Sequence, residues 1–116
     1  MNVLVADDSR VVRRLVATRL AADGIAVAEA EDGEEALERV VREPPDVVVV
    51  GKVLPKLGGF TLVRAIRAHE PARNTRIIML TNYGADRVRA EALGVGVDEF
   101  VTKPFSPKAL SELVRR

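Results

Sequence analysis

The sequence predicts an α/β fold, a doubly wound parallel sheet in which five strands alternate with five helices. Three observations carry that expectation. Short apolar runs rich in β-branched residues recur along the chain, segments with helical spacing lie between them, and capping residues stand at the junctions. Unbroken apolar runs suit strands of a parallel sheet that is covered on both faces.

The elements follow in order. Val3-Leu4-Val5-Ala6 is the first strand, and residues 9–23 form a helix with a stripe of Val12, Leu15, Val16 and Leu20. Arg13, Arg14 and Arg19 fall on its other faces; Ser9 caps its start and Gly24 closes its end. Residues 25–30 make the second strand. The second helix lies between Gly33 and Glu43, with Ala36, Leu37, Val40 and Val41 as its stripe, and Pro44-Pro45 ends it. Val47-Val48-Val49-Val50 is the third strand, and Leu62, Val63 and Ile66 mark the third helix. Ile77-Ile78-Met79-Leu80 is the fourth strand. Val88, Ala92 and Leu93 mark a helix that Gly94 or Gly96 closes with a positive φ. Phe100-Val101 is the fifth strand, and Ser106 and Pro107 open a last helix carrying Leu110, Leu113 and Val114. Strict alternation gives (βα)5 with right-handed crossovers and helices on both faces. No repeat or linker divides the chain, so residues 1–116 read as one domain; the short last helix points to a domain cut from a longer protein.

Composition removes several function classes. Lys and Arg total 18 against 17 Asp and Glu, a net charge of +1, so no basic surface for nucleic acid is expected. The 47% hydrophobic share supports a folded core rather than disorder. With no cysteine and a single histidine, His69, disulfides, thiolate metal sites and cysteine nucleophiles are excluded. No apolar run reaches the roughly 18 residues of a membrane span, and no secretion-signal pattern precedes the first strand. The expected location is the cytoplasm.

In open α/β sheets, function gathers beyond the carboxyl ends of the strands. Those positions hold Asp7 and Asp8 after the first strand, Gly51 after the third, Thr81 after the fourth and Lys103 after the fifth. Taken singly, each could be a cap or a solvated loop residue. Two acids, a hydroxyl and an ammonium on one edge exceed what packing requires.

From end to end the chain resembles the receiver domain of bacterial two-component response regulators. The resemblance rests on Val3-Leu4-Val5-Ala6-Asp7-Asp8-Ser9, Pro45-Asp46-Val47-Val48-Val49-Val50, Leu54-Pro55 with Gly59, Ile78-Met79-Leu80-Thr81, and Phe100-Val101-Thr102-Lys103-Pro104-Phe105. It implies a flavodoxin-like sheet of strand order 2-1-3-4-5. It also implies a phosphorylation switch, in which a histidine kinase phosphorylates an aspartate at the end of strand three. Asp7 and Asp8 match the family's acidic pair, with Asp8 the direct Mg²⁺ ligand and Val53 offering a backbone carbonyl. Thr81 matches the switch hydroxyl, Phe100 the switch aromatic and Lys103 the phosphoryl-binding lysine. The Lys103-Pro104-Phe105-Ser106-Pro107-Lys108 stretch is most like regulators with a DNA-binding output.

The departure lies at the acceptor, where the chain has Gly51 and hence no side chain to phosphorylate. Asp46 starts the same strand, roughly 16 Å away at about 3.3 Å per residue, and is no substitute. Lys52, Lys56 and Gly58 also depart from the pattern of that loop. With one carboxylate gone, Asp8 and the Val53 carbonyl make a poor Mg²⁺ site, so no cofactor is required and Mg²⁺ is expected to be weak or absent. Two acids then face Lys103, and a direct bridge from Lys103 to Asp7 or Asp8 is expected.

Two readings of the receiver resemblance stay open. One is a pseudo-receiver that acts by protein–protein interaction, with a kinase, regulator or output domain as partner, or as a homodimer. The family's docking face, the fourth helix, fifth strand and fifth helix, offers Arg87, Arg89, Glu91 and Lys108 as exposed contacts. The other is an ordinary phospho-switch whose natural residue 51 is Asp, here substituted. A small enzyme or nucleotide-binding protein of the same architecture is disfavoured, because Asp7-Asp8-Ser9 stands where a glycine-rich phosphate loop would be.

Overall fold

Every predicted strand forms, and its helix follows it. The computed structural model describes residues 1–82 and 84–116, with the backbone alone at Ala92. In chain order the elements are β1 (Asn2–Ala6), α1 (Arg10–Ala22), β2 (Ala26–Ala30), α2 (Gly33–Arg42), β3 (Val47–Gly51), α3 (Gly59–Ala68), β4 (Arg76–Thr81), α4 (Gly84–Leu93), β5 (Glu99–Thr102) and α5 (Pro107–Arg115). A short 3₁₀ turn, Glu70–Ala72, precedes β4. The sheet is parallel throughout, in the order β2-β1-β3-β4-β5.

Local chemistry explains the boundaries. The Ser9 hydroxyl accepts from the Val12 amide at 3.2 Å, Asp32 from Glu35 at 2.8 Å, and Ser106 from Ala109 at 3.2 Å. Each such cap contributes about 1 kcal/mol to its helix. Gly24 and Gly94 take φ of 83° and 61° just past α1 and α4, the left-handed turn that a side chain would strain.

Alternate residues of the central strands feed two separate cores. Leu4, Ala6, Val48, Val50, Ile77 and Met79 pack under α2, α3 and α4 on one face. Val3, Val5, Val47, Val49, Ile78 and Leu80 pack under α1 and α5 on the other. The strand order and the two covered faces are those the resemblance implied.

Several expectations need correction. Burial on both faces holds for β1, β3 and β4 but not for the edge strands: β2 buries only Ala30 fully and β5 none of its residues. Leu15, Val41, Val88 and Leu93 were expected in helix stripes but are exposed at 48, 51, 67 and 48%. In α1 the expected Val16 and Leu20 do meet the core, joined by Ala17, with Val12 partly buried against it. In α4, Ala90 and Asp86 face inward and Val88 outward; the Ala92 side chain lies outside the described residues. Among the described residues, no helix is long and apolar enough to cross a membrane.

Candidate functional site

Parallel register brings the carboxyl ends of β1, β3, β4 and β5 to one edge. Ala6 pairs with Val50, Gly51 with Leu80, and Thr81 with Thr102, so the residues just beyond them share that edge. Asp7, Asp8, Gly51, Thr81 and Lys103 therefore meet as expected. Asp46 lies at the opposite end, where its carboxylate accepts from the Asn2 amide at 2.7 Å.

The Asp7 carboxylate lies against Gly51. It is fully buried, and a Cβ added at Gly51 would stand 2.5 Å from Oδ2 and 3.0 Å from Cγ. Asp7 is held there from two sides. Lys103 Nζ donates to Oδ2 at 3.1 Å, and the Ser9 amide donates to Oδ1 at 2.9 Å. The Arg13 guanidinium secures the same loop, donating to the carbonyl of Asp7 at 2.7 Å. The direct lysine bridge thus runs to Asp7, while Asp8 is exposed. Lys103 is followed by Pro104 across a cis peptide bond.

The expected balance of two acids against one lysine is incomplete. A cleft of about 260 Å³ beside Asp7 is lined by Asp8, Lys52, Val53, Thr81, Asp86 and Lys103, among others. Asp86, in the first turn of α4, is 6% exposed. One of its oxygens meets Lys52 Nζ at 2.8 Å, and the other accepts from the Thr81 hydroxyl. Three acids and two lysines therefore share the region, joined in two ion pairs rather than one. Sequence reasoning marks Lys52 as a misplaced charge and passes over Asp86. The available signal is weak, since an acid in the first turn of a helix is ordinarily a dipole partner facing water.

Phe100 is half-buried against the α2–α3–α4 core, and Thr81 is 3% exposed. The Val53 side chain is 67% exposed. Arg87, Arg89, Glu91 and Lys108 are exposed, with Arg87 paired to Glu91 at 3.2 Å along α4.

Of the described acids at this edge, Asp8 is exposed and lines the cleft, while the other two are engaged. Asp7 is committed to Lys103 and Asp86 to Lys52 and Thr81, so neither offers a free pair of oxygens. Among the described residues, the acids that do cluster within ligand distance are Glu31, Asp32 and Glu35, and Asp32 there caps α2 and pairs with Lys56.

The acids fall into two groups by environment. Burial raises the Asp7 carboxyl above its usual range, and the Ser9 amide and Lys103 offset this only in part. Burial acts in the same direction on Asp86, but Lys52 and Thr81 outweigh it and hold that carboxyl low. Asp23 is held low by the Ser111 hydroxyl and Arg19, and Asp32 by the Glu35 amide. A lowered folded value means that the unfolded chain binds more protons, so stability from Asp23, Asp32 and Asp86 is lost as pH falls below the ordinary 3.8. Asp7 has the opposite sign: the folded chain binds its proton more tightly, so stability declines as pH rises from 3.8 through its folded value. Urea midpoints against pH should show both arms, and Asp7→Asn should remove the second alone. A midpoint for Asp7→Asn that still declines above pH 4, as the native chain's does, would contradict this assignment.

Comparison with known proteins gives concordant matches. The family model of the response regulator receiver domain matches residues 3–115. The chain is 42% identical over 114 residues to a probable transcriptional regulator ycf27 of Guillardia theta, covering 98% of this chain and 44% of that protein. It is 34% identical over 109 residues to the phosphate regulon transcriptional regulatory protein PhoB of Pseudomonas aeruginosa, covering 94% and 48%. The chain thus spans less than half the length of these curated relatives. Among solved structures, the chemotaxis response regulator CheY4 of Vibrio cholerae superposes with a TM-score of 0.91 at 33% identity, covering 99% of this chain and 96% of that one. The receiver domain of the sensor histidine kinase PA1611 of Pseudomonas aeruginosa, described with magnesium in its active-site cleft, gives 0.89 at 29% identity, covering 99% and 94%.

Proposed function

Because the chain belongs to the response regulator receiver family, we propose that it is a receiver-like signalling module that cannot be phosphorylated at the usual aspartate and acts through protein–protein contact. The observation that carries this reading is residue 51. Glycine stands at the acceptor position, and the Asp7 carboxylate occupies the space into which a side chain there would project. With nothing to receive a phosphoryl group, Thr81 and Phe100 have no incoming ligand to shift them, and a ligand shifts an equilibrium only by its differential affinity for the two states. The partner surface is then constitutive. It lies on α4, β5 and α5, where Arg87, Arg89, Glu91 and Lys108 are exposed. A kinase, a regulator, an output domain or a second copy of the chain would dock there. The transcriptional regulators among the relatives favour a DNA-binding output outside this domain, with the whole acting in the cytoplasm.

The reading is tested by titrating Mg²⁺, alone and with acetyl phosphate, while following backbone NMR shifts. Binding is expected in the millimolar range or weaker, roughly 4 kcal/mol or less, with no added shift at Thr81 or Phe100 when acetyl phosphate is present. Micromolar binding at Asp8, or a second set of resonances around Thr81 and Phe100 on adding acetyl phosphate, would overturn it.

A further inference from the structure

We propose that Lys52, Asp86 and Thr81 form a tether that fixes the start of α4 to the ends of β3 and β4. The case begins with how little else holds α4. Among its described side chains only Asp86 and Ala90 are buried, while Val88 and Leu93, its large apolar residues, face solvent. An alanine buries little area, so the position of this helix depends on its carboxylate. Both oxygens of that carboxylate are engaged, one by Lys52 at 2.8 Å and the other by the Thr81 hydroxyl. Lys52 directly follows the last residue of β3 and Thr81 is the last of β4. Three elements are therefore joined through one nearly buried group, and a charged hydrogen bond in such a place is stronger than on an open surface.

The tether deepens the proposed function and rests on it in one respect: nothing arriving at residue 51 competes for Thr81. It makes Lys52 and Asp86 positioning residues for the α4 face.

Hydrogen exchange of the α4 amides, followed by mass spectrometry on the whole chain, tests it. Lys52→Met keeps the length of the side chain and removes its charge. Both Lys52→Met and Asp86→Asn are expected to speed exchange in residues 84–93 by about tenfold, the scale of one broken charge-assisted hydrogen bond. The double variant should exchange no faster than the faster single one, because either change already breaks the shared ion pair. Lys52→Arg, which keeps the charge, should stay near the native rate. Lys56→Met, removing the neighbouring loop cation that pairs with Asp32, should leave α4 unchanged. Native exchange in Lys52→Met, or equal acceleration in Lys56→Met, would overturn the tether. A phosphoryl gain by the native chain would instead overturn the reading of residue 51, so the two failures are distinguishable.

Discussion

Gly51→Asp is expected to gain one phosphoryl group from acetyl phosphate and to bind Mg²⁺ at least about tenfold more tightly than the native chain, a change worth roughly 1.4 kcal/mol. The new side chain would add a carboxylate beside the cleft lined by Asp8, Val53, Thr81 and Lys103, the residues that the resemblance assigns to metal and phosphoryl binding. The substitution is not free of strain. Its Cβ would stand 2.5 Å from Asp7 Oδ2, so Asp7 must swing away and its bridge to Lys103 must loosen. The end of a side chain can give way where backbone cannot, so the variant should fold, with a lower urea midpoint in the absence of Mg²⁺ that the metal recovers. Intact mass and calorimetric titration check both parts. Mg²⁺ affinity equal to the native value would show that the loss at residue 51 is not what weakens the site.

The second large effect lies one loop further on. Gly59→Ala is expected to destabilise the fold by about 3 kcal/mol or more, within the range of severe core disruptions. A Cβ at Gly59 would meet the carbonyl oxygens of Gly51 and Lys52, both at 2.6 Å, and these are backbone atoms that the sheet holds in place. The Gly59 amide also donates to the Lys52 carbonyl at 2.9 Å, so an added methyl would drive α3 off the end of β3 and break that hydrogen bond. Gly58 is the control. It caps α3 with φ −60°, and nothing lies within 4 Å of an added Cβ. Gly58→Ser should leave the urea midpoint within about 1 kcal/mol of native or raise it, since serine is a good cap. Equal destabilisation at the two positions would show that the close approach of α3 to β3 is not what requires Gly59.

How much of this is legible in the sequence depends on whether the signal is local. Strand positions and caps are legible because β-branched runs and Ser9, Gly24 and Ser106 act over a few residues. The strand order comes through the family motifs and not through periodicity, which cannot tell an edge strand from a central one. That is why full burial is expected of β2 and β5 and not found. Helix faces are only partly legible. The stripe in α4 points to Val88 and Leu93, whereas the structure turns Asp86 inward, because Lys52 and Thr81 supply what a buried carboxylate needs. No pattern in α4 alone could show that, since Lys52 comes from another loop. That residue 51 is glycine, with no side chain to phosphorylate, is legible at once. That the Asp7 carboxylate lies against Gly51 and pairs with Lys103 needs three-dimensional coordinates.

The measurement that bears most directly on the central claim is the intact mass of the native chain after incubation with acetyl phosphate and saturating Mg²⁺, with Gly51→Asp treated alongside. The native mass should stay unchanged while the variant gains one phosphoryl group. A stoichiometric phosphoryl gain by the native chain would contradict the account, and would move the switch to another side chain in the cleft.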